Sequence, residues 1–198
     1  MKRYELTDET METSSGNILH RIRALTEIRT AMWTVKPGDL GGWVESTDNL
    51  AQDGNAWVFG NAQVYGRAQV YGDARVFGTA RVCGSAQVYG NARVYGNAQV
   101  FGEAQVYGDA RVCGEARVCA LNHVLMVGPM GSRDDTTTFM RGEGAILVRC
   151  GCFTGTIDAF AAAVDLRHGG SRHGKAYRAA IELARVQFDT TASKEALP

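Results

Sequence analysis

No stretch of eighteen apolar residues occurs in this chain, so no segment reads as a membrane-spanning helix. The opening Met-Lys-Arg-Tyr-Glu lacks a hydrophobic signal region, and the expected location is the cytoplasm. Neither sign of charge is in excess, since 21 basic residues face 21 acidic ones. No block is strongly charged either: Lys and Arg number six against nine Asp and Glu over residues 1–54, six against four over 55–120, and nine against eight beyond. General electrostatic binding to nucleic acid or to an anionic membrane is therefore not expected. Paired carboxylates, a Cys or Ser nucleophile with an evident base, and metal-ligand spacings are all missing. On this basis no catalytic residue, no metal site and no cofactor is assigned. The five cysteines are an odd number and read as free thiols in a reducing compartment. Cys150-Gly-Cys152 sets two thiols on one side of a strand, but without the two-residue gap of the strong metal or redox motifs.

What the chain does have is a phrase, x-Ala-x-Val-x-Gly, repeated eleven times without an insertion from residue 55 to residue 120. Only the last copy departs, with Ala120 in the glycine slot. A fixed short period without gaps is the signature of a solenoid. Ala and Val two apart point to one side of an extended strand, and the glycine that follows permits a sharp corner. A helix is a poor alternative, because a six-residue period drifts around a 3.6-residue turn and each copy carries Gly and β-branched Val. These residues resemble the hexapeptide-repeat family, here with Gly two places after the aliphatic residue rather than directly after it. The resemblance implies a left-handed parallel β-helix with three hexapeptides per triangular coil, Val58 and Ala56 and their equivalents facing inward.

On that coil, residues eighteen apart stack into outward rows. Phe59, Phe77, Tyr95 and Cys113 form one, Tyr65, Cys83, Phe101 and Cys119 a second, and Tyr71, Tyr89, Tyr107 and Leu125 a third. Before the valines, Arg75, Arg93 and Arg111 stack on one face, Arg81 and Arg117 alternate with Gln63 and Gln99 on another, and Gln69, Gln87 and Gln105 fill the last. Asp73 and Asp109 stand two residues before Arg75 and Arg111 and would neutralise part of that ladder. Such rows either stabilise the coil by stacking or form a partner surface. Arg75, Arg93, Arg111, Phe77 and Tyr95 are the binding candidates on the second reading.

Residues 1–54 read as an N-terminal cap, with a short strand at Tyr4–Leu6, a near-alternating stretch at Leu19–Leu25 and a turn-rich entry from Lys36 to Val44. Leu50, Gln52 and Gly54 fall in the Ala, Val and Gly slots, so a degenerate first hexapeptide is expected near 49. Residues 121–188 read as a small α+β unit: strands at Leu125–Val127, Thr136–Met140 and Ile146–Cys150, a helix capped by Thr156 and stopped by Gly169-Gly170, and a last helix with Tyr177, Ile181, Ala184 and Phe188 along one stripe. A polar tail follows over 189–198. Two runs in this unit, 131–138 and the basic loop His168–Lys175, are either plain loops or places where Ser132, Arg133, Arg172, His173 and Lys175 hold an anionic group.

As a whole, the order of cap, hexapeptides and compact C-terminal unit resembles phage and prophage hexapeptide-repeat proteins, through Lys36 to Glu45, the repeats, Gly131 to Phe139 and Cys150 to Thr156. That resemblance transfers no mechanism; by analogy with phage accessory proteins it allows an inhibitor of a defence system, acting on a host protein partner in the host cell's cytoplasm. With no enzyme signature in the repeats, the favoured reading is a non-enzymatic binding or scaffold protein whose prism presents faces or displays the C-terminal domain. A second reading is a CoA-dependent acyltransferase, since many hexapeptide-repeat proteins are transferases working as trimers with a histidine base between prisms. Residues 55–120 contain no His, and His123 is the nearest candidate. One outward threonine, Thr79, cannot make an ice-binding face, and the Arg excess in the repeats disfavours a DNA mimic. The expected assembly is a homotrimer, in which packed faces bury the aromatic rows.

Overall fold

The computed structural model describes residues 2–30 and 33–188; the polar tail expected from residue 189 lies outside them. The chain divides into two compact units, Met1–Leu121 and Asn122–Pro198.

In the first unit the hexapeptides wind into a β-solenoid whose coils stack in parallel register at eighteen residues. Val64, Val82, Val100 and Val118 pair in sequence on one side. Val58, Val76, Val94 and Val112 pair on the next, and Val70, Val88 and Val106 on the third. Each valine and each alanine two before it is buried, so the small apolar face of every strand fills the interior. The ladder is regular: Arg75 N donates to Ala92 O at 2.9 Å, Phe77 N to Val94 O at 3.0 Å and Thr79 N to Gly96 O at 3.0 Å. Glycine is demanded at the corner twice over. At Gly78 the backbone is left-handed (φ 75°), and a β-carbon would lie 3.0 Å from Gly96 N.

The N-terminal segment extends one solenoid sheet. Strands Tyr4–Glu12 and Ile18–Ala24 pair antiparallel, Ile18–Ala24 pairs antiparallel with Leu40–Val44, and Leu40–Val44 lies parallel to Gln63–Val64. The entry segment is thus itself the first solenoid strand. The degenerate first hexapeptide is displaced from its expected phase. Val44 stacks on Val64 and Leu50 on Val70, twenty residues apart rather than eighteen. Leu50 therefore holds a valine position, fully buried, and not the alanine slot. Gln52 stays out of the core: its Oε1 accepts from Arg3 N at 2.8 Å and its Nε2 donates to Tyr4 O at 3.3 Å.

The top edge of the solenoid is closed by Asn49, which is fully buried. Its Nδ2 donates to Gly66 O (3.0 Å) and Ala68 O (2.9 Å), and its Oδ1 accepts from Glu45 N (3.1 Å) and Ser46 N (2.9 Å). Glu45 Oε2 accepts from Gly66 N at 2.6 Å. These side chains satisfy backbone groups that an uncapped edge would leave open to another strand.

The second unit is a four-stranded antiparallel meander, Val124–Met130, Asp135–Arg141, Ile146–Cys150 and Phe153–Thr156, with two helices, α1 (Ile157–His168) and α2 (Arg172–Gln187). Phe139 and Val148 from the sheet, Ile157, Phe160 and Val164 from α1, and Tyr177, Ile181 and Ala184 from α2 share one core. Thr156 caps α1, its hydroxyl accepting from Ala159 N at 3.3 Å, and Ser171 caps α2 through Gly174 N at 3.2 Å. Two expectations are corrected here. Leu125 pairs with Phe139 in this sheet and packs on its core, so it does not continue the Tyr71 row. His168–Lys175 is not one loop: His168 ends α1 and Arg172 begins α2.

Candidate functional site

The three outward faces of the solenoid differ in what covers them. On the face holding Arg75, Arg93 and Arg111, Phe77 stacks on Tyr95 with centroids 4.7 Å apart and planes within 1°. Trp33 sits edge-on to Phe59 (5.1 Å) and Phe77 (5.7 Å), so the cap covers part of this row. Arg75 is only 2% exposed, paired in register between Trp57 and Arg93. It is not available as a surface contact. Its Nε and Nη1 have no hydrogen-bond partner; Asp73 accepts from Asn55 Nδ2 at 2.7 Å, and its charge partly offsets that of Arg75, as expected. Burial first, then the charge of Arg93, lowers the pKa of its guanidinium. Arg93, Arg111 and Tyr95 are half-buried, and Cys113, expected to face outward, is buried.

On the next face Tyr65 lies beside Cys83, and burial followed by that contact pushes its phenol up to about 12. Arg117 stands 5.9 Å over the Phe101 ring. The third face carries an uninterrupted ladder. Tyr71 and Tyr89 stack at 4.9 Å and 1°, Tyr89 and Tyr107 at 5.5 Å and 17°. Two of the three hydroxyls reach the glutamine of the next coil, Tyr71 to Gln87 Oε1 and Tyr89 to Gln105 Oε1, both at 3.4 Å. Tyr107 is 45% exposed and Gln69 is exposed. The eighteen-residue step alone creates this strip, flat and without a charged side chain in either of its two rows.

In the second unit the meander brings together two turns that are far apart in sequence. Turns after the first and third strands fall at the same end of an antiparallel sheet, so Gly131–Arg133 and Gly151-Cys152 lie side by side, next to the C-terminal end of α1. Between them is a cavity of about 410 Å³. Phe153, Phe160, Val164 and Tyr177 form its apolar lining, with Ser132, Arg133, Asp135, Cys150, Cys152, Arg167 and His168 around them. Tyr177 is central: its ring is 5.5 Å from Phe160 and 5.4 Å from His168, and its hydroxyl is 3.7 Å from Cys150 Sγ, which also receives Thr137 Oγ1 at 3.2 Å. Burial first, then Cys150, pushes this phenol up to about 12.

Of the residues singled out in this unit, Ser132 and Arg133 line the cavity, whereas Arg172, His173 and Lys175 do not. They stand exposed in the first turn of α2, His173 with its ring 6.2 Å from that of His168. His168, the first residue of the run singled out from the sequence, also lines the cavity, whereas Arg167 and Tyr177 were missed as site residues, because helix periodicity marks Tyr177 as core and leaves Arg167 on an ordinary solvated face. Among the described residues, no three His, Cys, Asp or Glu side chains gather to hold a metal ion, and no helix is long and apolar enough to cross a membrane.

Comparison with known families finds the YdcK beta solenoid repeat, matched over residues 68–84, 86–102 and 104–119. Each span covers nearly one eighteen-residue coil. The search of curated proteins found no match. The chain is a β-solenoid repeat protein with a C-terminal unit of one antiparallel sheet and two helices.

Proposed function

We propose that this protein is a non-enzymatic binding or scaffold protein, a rigid β-solenoid that offers a flat face to protein partners and carries the α+β unit as a second interaction module. The observation that supports it best is the Tyr71–Tyr89–Tyr107 ladder with its glutamine row. Stacked rings with hydroxyls tied to the neighbouring coil are pre-ordered, so binding costs little side-chain entropy. Tyrosine-rich surfaces of this kind suit protein interfaces. The first partner on this reading is a second copy of the chain, in a homotrimer packed through this strip. A further partner, taken from the resemblance to phage and prophage proteins, is a host protein met in the host cytoplasm, a defence factor being the first to test.

Light scattering coupled to size exclusion tests the assembly. Three times the 21.4 kDa of one chain is expected, with Tyr89→Glu falling to one chain while each solenoid keeps its melting temperature. A single-chain mass for the unmodified protein overturns the trimer.

The acyltransferase reading is disfavoured by His123. Its Nε2 lies 3.2 Å from Arg141 Nη1, and a guanidinium only donates, so the lone pair a general base needs is engaged. Burial, then the charge of Arg141, also lowers its pKa. Calorimetry with CoA and acetyl-CoA is expected to give no saturable heat; a saturable isotherm with acyl transfer abolished by His123→Ala would reverse the ranking.

A further inference from the structure

The cavity of the second unit has a chemistry that the solenoid reading does not use. Its floor is aromatic and aliphatic, Phe153, Phe160, Val164 and Tyr177, and it is built on the same side chains that hold the sheet to both helices. Such a floor is rigid and ready to bury an apolar body. Around it stand two guanidiniums, Arg133 and Arg167, neither of which makes a hydrogen bond or an ion pair among the described residues. The contrast within the unit is sharp. Arg178 pairs with Asp165 at 2.5 Å, Arg185 with Asp158 and Glu182 at 3.1 and 2.9 Å, Arg149 donates to Phe153 O at 3.0 Å, and Arg141 engages His123. Arg172, which likewise makes no hydrogen bond or ion pair among the described residues, is exposed and does not line the cavity.

We propose that this cavity is a binding site for a small amphipathic anion, an aryl or acyl group carrying one carboxylate or sulfonate. The apolar body would lie on Phe153, Phe160 and Val164, and the anion would be forked by Arg133 and Arg167. The single lining carboxylate, Asp135, leaves an excess of positive charge that favours a monoanion over a neutral or cationic ligand. Its oxygen Oδ1 already accepts from Thr136 N at 2.8 Å. A volume of about 410 Å³ falls in the range of small-molecule sites. The turn Gly131–Arg133 is what brings Arg133 to the rim, and it is fixed by the close approach of Gly131 to the Tyr177 hydroxyl. The inference stands apart from what the solenoid binds, and its test does not read the assembly.

The probe is 8-anilinonaphthalene-1-sulfonate, an aromatic monoanion whose fluorescence rises on burial, titrated into the full chain. One saturable site is expected. The double variant Arg133→Gln/Arg167→Gln, at exposed positions that make no hydrogen bond or ion pair among the described residues, should keep its melting temperature and lose about tenfold or more in affinity. Binding of the uncharged N-phenyl-1-naphthylamine should be unchanged by the same pair. Ala163→Trp, which fills the cavity from α1, should abolish binding of both dyes. Absence of saturable binding overturns the proposal, as does a double variant whose affinity for the sulfonate stays within twofold, or an Ala163→Trp variant that binds as before.

Discussion

The hydroxyl of Tyr177 rests against the α-carbon of Gly131, so closely that a β-carbon at residue 131 would overlap it. Gly131 also has a left-handed backbone, φ 77°. Gly131→Ala is therefore expected to destabilise the second unit by about 2 kcal/mol or more, from overpacking and backbone strain together. Tyr177→Phe in the same chain should restore part of that loss. A double-mutant cycle in urea measures the coupling, and strictly additive effects would refute the contact.

Asn49 is expected to be the costliest polar side chain to remove from the first unit. Asn49→Leu keeps the volume but strands two carbonyls and two amides at the solenoid's upper edge. A loss of at least about 3 kcal/mol follows from leaving several buried groups unpaired. Equilibrium unfolding followed by circular dichroism checks it; a change under about 1 kcal/mol would mean water replaces the amide.

Val94 lies fully buried between Val76 and Val112. Val94→Asp places a carboxylate in the prism with no cation to meet it, and the expected result is loss of folded, soluble protein or a much lower melting temperature. An unchanged melting curve would contradict an inward valine row.

Alkaline pH should weaken the fold once the tyrosines of the unfolded chain begin to ionise. Tyr4, Tyr65 and Tyr177 are each pushed up to about 12, in each case chiefly by burial. In the unfolded chain they ionise near 10, so above that pH the unfolded state releases protons that the folded state retains. The stability they contribute is complete below pH 10 and is lost as pH rises through 12. Stability measured against pH should fall across this window, and less steeply in Tyr177→Phe. Coincident slopes for the two proteins would remove Tyr177 as a source.

The solenoid was legible because its sequence period and its spatial period are the same thing: an Ala and a Val two apart can only share a face, and eighteen residues close a coil. What lay beyond reach were features with no period. Leu50 shifts phase because two extra residues sit between the cap and the first coil, and no local signal marks them. The covering of Phe59 and Phe77 comes from Trp33, a residue of a segment far away in sequence. The cavity around Tyr177 needs the fourth strand, Phe153–Thr156, whose residues read as turn and helix cap. Without that strand the turns at 131–133 and 151–152 have no reason to meet.

The meeting of the cap with the first coil also bears on how the chain finds its place. Nearly identical coils stack equally well if one slides past its neighbour by a whole turn, so a strictly periodic solenoid has no internal zero mark. The cap supplies one where it meets a residue that does not recur: Gly66, Ala68 and Val70 have equivalents in every coil, but Tyr4 packs edge-on to Trp57, whose place in the following coils is taken by Arg75, Arg93 and Arg111. A chain that slipped by eighteen residues would set Tyr4 against an arginine, and only one indexing of the coils gives the cap its aromatic partner.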